Sequence, residues 1–357
     1  MSHLTRSAIG LLVLTVIAAA SATPGASSAR TNGCDLSQTN QAWLQRALDG
    51  WDMARRDFLK VPSTPLPWIV LFDASCIWHL NPTDPKLLAD SRQLPATTLI
   101  FDGSGVDIRA VSHAGTVLLP NRVEIPIEVK ASTALYRNGR MTFLVMSMPS
   151  LWRTQRGAKI AHLDEYLQGA FTHEMTHTQQ LVPINRRLRQ LIGSTNMLGR
   201  LTDDVIQDRF QKEQGFARLV ERERDMLFRA AGLSDPALRR EVAIKVMAMI
   251  RDRHARYYSG RNTPYSEIET LFLTMEGAGQ WAAYKLIKAR GVVGSSDAEV
   301  LKLVRDNRRY WSQDQGLALF LLLDVLVPNW QARIFQNEPA SPFTLIEEAL
   351  AKPTANP

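Results

Sequence analysis

The feature that most constrains this chain is the segment Phe171-Thr172-His173-Glu174-Met175-Thr176-His177. It lies inside a run from 163 to 182 whose spacing predicts one helix, ended by Pro183. At about 3.6 residues per turn, His173 and His177 stand one turn apart on one face, where two imidazoles can hold one small cation. Glu174 is rotated by about 100° from His173, within reach of a water beside that cation. Phe171, Met175, Thr178 and Val182 form a second stripe that anchors the helix to a core. Two imidazoles plus a carboxylate that is not a ligand suit a metal-activated water with a general base.

The first residues suggest export. Met1-Ser2-His3-Leu4-Thr5-Arg6 precedes an apolar run from 8 to 20 and then Ala20-Ser21-Ala22, the pattern of a signal peptide removed after Ala22. Residues 23–35 are small and polar and read as a flexible segment. Only Cys34 and Cys76 exist. In an oxidising compartment they form one disulfide tying the N-terminal helix to the first strand; two free buried thiols are the alternative. The formal charge is +7, but the basic residues are scattered among nearly as many acids. No basic stripe interleaved with aromatics appears, which excludes nucleic acid as the expected partner.

Leu44, Leu48, Trp51, Ala54 and Phe58 make an apolar stripe at helical spacing between 36 and 60, before Pro62. The run 68–72 suits a buried strand, and 73–105 reads as loops with short strands. Strands are expected at 106–111, 123–129 and 141–146, with Asn138-Gly139 as the turn before the last. After Pro183 helices are expected at 204–231, 236–257, 265–288, 297–307, 313–327 and 343–351. Ser296 and Glu299 supply a capping box. The apolar run 317–323 stops at Asp324 and is too short to span a bilayer, so no membrane span is expected in the mature chain.

A third metal ligand must come from elsewhere. A metzincin-type continuation would place a histidine where Pro183 stands, and no histidine follows until His254. A carboxylate from a later helix is the remaining common solution. Glu276 is the best candidate, on the edge of the stripe Ile268, Phe272, Met275, Gly279 and Ala283. Gly277 and Gly279 cost about 1 kcal/mol each in mid-helix, which makes sense if another helix approaches closely. Glu223 is a rival: it points inward on the stripe Phe216, Val220, Leu227 and Ala230, as a ligand, a partner of a ligating histidine, or half of an ion pair with Arg224 or Arg253. Glu269 is either a partner of the ligands or a solvated residue. His254 and Tyr257 fall on the inner stripe of their helix, as satisfied core residues.

The pattern resembles the gluzincin metallopeptidases, in which His-Glu-x-x-His is joined by a glutamate from a downstream helix, often within Glu-Gly-x-Ala. The resemblance implies that His173, His177 and Glu276 hold one Zn2+ per chain and that Glu174 activates water. It implies a zincin-like α+β fold, with a small mixed or antiparallel sheet packed on the metal helix. Residues 36–182 would form the α/β lobe, 183–351 a helical lobe completing the site, and 352–357 a tail. In that family an edge strand beside the metal helix receives an extended peptide. This chain departs at Gly279, where the family pattern has Ala, and in the long gap between His177 and Glu276. Gln313-Asp314-Gln315-Gly316 and the helix after it look similar to the C-terminal helix pair of some members, where a tyrosine often occupies the place of Gln313. Tyr310 is the nearest tyrosine here.

The expected activity is therefore peptide hydrolysis. Water attacks a polarised carbonyl, Glu174 takes its proton and passes it to the leaving amine, and an oxyanion donor is sought among Tyr257, Tyr258, Tyr265, Tyr310 and His254. A hydrolase of a non-peptide amide or cell-wall bond would keep the same ligands but lack a usable edge strand. A binding protein with a vestigial motif is the third class. Residue patterns leave cleavage specificity and oligomeric state open.

Overall fold

Trp68–Phe72 forms strand β1, buried along its whole length because both of its faces are covered. Ile69 and Leu71 face one apolar cluster with Trp43, Leu48 and Phe171, whereas Trp68, Val70 and Phe72 face another with Val117, Phe143 and Leu151. The computed structural model describes residues 33–84, 88–156, 162–195, 201–291, 296–305 and 309–352; the signal segment 1–22 lies outside them. The other strands are β2 (Cys76–Leu80), β3 (Arg92–Gln93), β4 (Ile100–Phe101), β5 (Ser104–Gly105), β6 (Ile108–Ser112), β7 (Thr116–Leu118), β8 (Glu124–Pro126), β9 (Ala131–Tyr136) and β10 (Met141–Ser147). The main sheet has the order β3-β6-β2-β1-β10-β9, while β4-β5 and β7-β8 are small two-stranded ribbons. β1 runs parallel to β10, with Val70 opposite Val145, and the remaining neighbours are antiparallel. The sheet is thus small and mixed.

Cys76–Leu80 is one of the short strands expected within 73–105, and pairing with β1 and β6 and burial of Ile77, Trp78 and Leu80 place it inside the main sheet. One expectation about strands is corrected. The strand expected at 123–129 shrinks to Glu124–Pro126, since Pro126 has no N–H to extend a ladder. The strand beside β10 is instead Ala131–Tyr136, joined through the turn Arg137–Gly139 with Asn138 at φ 58°. Cys34 and Cys76 are disulfide-bonded, and the bond lands on β2, the second strand rather than the first.

The helices are α1 (Gln38–Met53), which widens into a π-helical turn (Ala54–Leu59), α2 (Pro149–Arg156), α3 (Leu163–Thr195), α4 (Val205–Phe210), α5 (Gln214–Gly232), α6 (Pro236–Tyr257), α7 (Pro264–Arg290), α8 (Asp297–Val304), α9 (Trp311–Leu326), α10 (Gln331–Ile334) and α11 (Pro342–Ala351). The helical C-terminal region is as expected, except that 204–231 is broken into α4 and α5. Ser296 caps α8 by accepting from the Glu299 N–H at 3.3 Å, and its own hydroxyl meets the Glu299 carboxylate at 2.8 Å. Among the described residues no helix is long and apolar enough to cross a membrane.

The metal helix does not end at Pro183. α3 continues to Thr195 with Pro183 inside it. An interior proline costs about 3 kcal/mol through a lost hydrogen bond and a ring clash. The continuation buries Ile184 and Leu188 in a cluster with Leu135, Ile206, Phe272 and Met275, and apolar burial at about 1.5–3 kcal/mol per large side chain offsets that cost.

Candidate metal centre

α3 and α7 cross with an extensive contact, and the crossing brings together residues 99 positions apart or more in the chain. His173 and His177 project from the middle of α3 and Glu276 from the middle of α7. The two Nε2 atoms lie 2.7 Å apart, with the rings at 83° to one another. Glu276 places Oε2 3.3 Å from His173 Nε2 and Oε1 3.3 Å from His177 Nε2. All three side chains are buried, and their donor atoms lie within 4.8 Å of one another. An ion with tetrahedral bonds of about 2.0–2.1 Å separates adjacent donors by about 3.3 Å, close to the carboxylate–imidazole spacings here.

The chemistry of the donor set fits a cation. Two imidazole nitrogens facing each other can share a single proton, and neither Glu276 oxygen has a hydrogen-bond partner. A buried carboxylate without donors is costly, and a divalent ion meets all three donors at once. Burial pushes the Glu276 carboxyl up, but the His177 and His173 imidazoles win and hold it far below the usual carboxylate range. This buried group could hold a metal ion.

Glu174 sits beside the ligands, 2% exposed. Its carboxyl is pushed up by burial, against the pull of His173 and His177. Thr133 on β9 orients it, donating from Oγ1 to Glu174 Oε2 at 2.9 Å and to the Glu174 backbone carbonyl at 2.7 Å. The glycines of α7 have two different partners. A Cβ on Gly279 would lie 2.8 Å from His173 Nδ1, so the imidazole rests directly on bare backbone. A Cβ on Gly277 would lie 2.7 Å from the Gly316 carbonyl oxygen, so α9 approaches at backbone distance there. Both positions are the close approaches expected of mid-helix glycines.

A narrow cleft of about 40 Å³ opens onto His173 and Glu174 between α3 and α7. Ala170, Ala283, Ile287 and Val304 make its apolar walls, and Tyr166, Gln280 and Gln313 are its polar groups.

No protein family, curated protein or solved structure matches this chain.

The other candidate residues lie elsewhere. Glu223 is completely buried and pairs with Arg253, which donates from Nε at 2.9 Å; of its three expected roles the ion pair is the one present. Glu269 is neither solvated nor at the metal site. It accepts from Arg253 Nη1 at 3.0 Å and lies 2.6 Å from His254 Nε2. His254 is a satisfied histidine, with Ser266 on its Nδ1 at 3.1 Å. Tyr258 accepts from Arg253 Nη1 at 3.1 Å, while Tyr257 packs on Phe216 and Tyr265 on Phe210. Tyr310 precedes α9, stacked under Arg309 at 5.0 Å and outside the lining of the cleft. His79 accepts from Trp68 Nε1 in the core, His113 meets the Asp73 carbonyl, and His162 is exposed.

Residue patterns missed Thr133 and Gln280, because each reaches the site through a strand or a helix crossing with no local signature, and Tyr166, whose seven-residue spacing before His173 on α3 was the signal available. They also missed Asp203, a buried carboxyl pushed well above its usual range by burial and by the nearby charge of Glu276.

Proposed function

We propose that the mature chain is an exported, zinc-dependent hydrolase of amide bonds with a zincin-like fold, and a metallopeptidase in the first instance. The observation that carries this reading is the convergence of His173, His177 and Glu276 on one point, with the Glu174 carboxylate beside it at the floor of a cleft. The donor set of two imidazoles and one carboxylate is the usual catalytic zinc set, which leaves a coordination position open. A divalent ion held there supplies Lewis acidity, polarising a carbonyl and acidifying water. Glu174, raised by burial and aimed by Thr133, takes the proton of the attacking water and delivers it to the leaving nitrogen. The apolar cleft walls exclude water from that transfer and favour an uncharged group beside the bond. The Cys34–Cys76 disulfide supports an oxidising compartment.

One observation favours a second substrate class. Every residue of β9, the terminal strand nearest Glu174, is buried, with Leu135 packed against Ile184, Leu201 and Ile206. An extended peptide has no open strand edge to join there, and a small amide entering through the cleft needs none.

The test uses chain lacking the signal segment, loaded with zinc, and its Glu174→Gln variant. The expected result is one zinc per chain in both, with amide-bond turnover in the first and a loss of at least about 100-fold in the second. Peptides and small amides assayed side by side separate the two substrate classes. Absence of stoichiometric metal sinks the enzymatic reading.

A further inference from the structure

α5 turns Phe216, Val220, Leu227 and Ala230 into the core and leaves another face to solvent. Along that face Arg218, Leu219, Arg222, Met226 and Arg229 recur at steps of three and four residues, so they share one line on the helix. With Gly215 at its start, the line is about 21 Å long. Arg256, from the last turn of α6, stands beside it. Together these residues bound an open groove of about 820 Å³. Leu219 and Met226 are its half-buried apolar residues, and all four arginines are exposed.

The charge of this groove is left unbalanced. On other faces exposed arginines have carboxylates: Arg92 has Asp35, Arg187 has Glu267, Arg251 has Glu347 and Arg333 has Glu348. Among the described residues Arg218, Arg222, Arg229 and Arg256 form no ion pair. Glu221 and Asp225 also line the groove, but Asp225 is already taken by the buried Arg224 at 3.1 Å. Arg218 and Arg222 face each other one turn apart, which is unfavourable for like charges. Arg218 also stands near the N-terminus of α5, the positive end of the helix. Arg256 is steadied by the Tyr257 ring, 5.2 Å from its guanidinium. An anion lying in the groove relieves both penalties at once.

We propose that this groove docks an acidic segment of a partner protein, an extended chain in which carboxylates alternate with apolar side chains. Charge complementarity sets the sign of the partner, and a guanidinium fork meets a carboxylate with two parallel hydrogen bonds. At about 3.3 Å per residue, about six residues of extended chain span the line, with alternate side chains about 6–7 Å apart on one face. That repeat is close to the step of about 6 Å between Arg218 and Arg222. Leu219 and Met226 offer apolar surface to the side chains between the acids; a phosphate polymer has no apolar group to set against them. Glu221 and Asp225 repel a densely charged polyanion more than a chain whose charges are spaced. Insertion into a bilayer surface calls for protruding apolar side chains, and these two are half-buried. The groove shares no residue with the cleft at the metal centre, so docking here does not depend on the hydrolytic reading.

The test uses chain lacking the signal segment and a fluorescein-labelled peptide of about twelve residues that alternates glutamate and leucine, followed by anisotropy. Binding is expected at low salt and should weaken at least about tenfold between about 0.03 and 0.3 M salt. Arg218→Ala with Arg222→Ala should weaken it at least about tenfold. Arg251→Ala with Arg333→Ala makes the same change of charge at arginines that are already paired, and should leave it within about twofold. If the groove variant does not fold, Arg218→Lys with Arg222→Lys keeps charge and helix propensity and should still weaken binding about threefold through loss of the fork. The proposal is overturned if the wild-type chain does not bind the peptide, if the groove variant binds it unchanged, or if the control pair loses as much. Phosphatidylglycerol vesicles or polyphosphate binding as tightly as the peptide also overturns it, since the groove would then take any polyanion.

Discussion

Glu269 and Glu276 stand two turns apart on α7, both buried, and the fold treats them in opposite ways. Glu269 is completed from within the chain. Burial works against its charge, but Arg253 and His254 hold its carboxyl at about 2. Arg253 is itself fully buried, shared with Glu223 and covered by the Phe216 ring at 5.0 Å; Gln315 adds a donor to Glu223 at 3.2 Å. Glu223 is the weaker partner, since burial raises its carboxyl while Arg253 pulls it down. Glu276 has no arginine and no N–H donor, only two imidazoles that also need a partner. One buried cluster is closed by the protein's own cation. The other has no internal cation of that kind and leaves two imidazoles and a carboxylate facing one another, a group that could hold a metal ion.

Removing the internal cation is expected to have the largest effect. Arg253→Ala strands two buried carboxylates and should cost about 3–5 kcal/mol in urea unfolding; a loss below about 1 kcal/mol would break the comparison. Glu276→Gln tests the other cluster through its binding: zinc affinity should fall at least about 100-fold by competition with a chromophoric chelator. The metal-free variant should also be less stable than the wild type, because the two imidazoles hold the carboxylate charged in the folded chain and the amide loses that attraction.

His79 offers a pH contrast, being satisfied by an uncharged neighbour. Burial lowers its pKa to about 4, so the folded state keeps it neutral while the unfolded chain protonates it below its ordinary value of 6.5. Its contribution to stability is therefore complete above pH 6.5 and is lost as pH falls toward 4. Unfolding free energy should drop by about 2–3 kcal/mol from this group near pH 4.5, and a His79→Gln variant should lack that drop. The smallest effect is expected at Gly279. An Ala Cβ there meets His173 Nδ1 at 2.8 Å, and displacing that buried imidazole should weaken zinc binding by about tenfold and cost about 1 kcal/mol of metal-free stability.

Much of the helical region was legible because its periodicity is local. The helix at Pro236–Tyr257 begins and ends where its stripe does, and Ser296 caps α8 as its spacing with Glu299 requires. The strands were less legible. Ala131–Tyr136 is buried on every residue and so shows no alternation, and its Ala and Ser positions carry little strand propensity. Pro183 misled for the converse reason: a local penalty was smaller than the burial gained by Ile184 and Leu188.

The linear chain by itself determined the two imidazoles one turn apart, the acid between them, a downstream glutamate on a half-apolar helix, and the glycines that let helices touch. These follow from spacing along one element, where a turn of helix fixes which side chains are neighbours. Only the tertiary structure decided that Glu276 meets the histidines while Glu223 and Glu269 go to Arg253, that Thr133 holds Glu174, and that Gln313 lies beside Gln280. Such pairings depend on how helices cross and strands register, and many distant residues set that through packing with no trace in any short stretch.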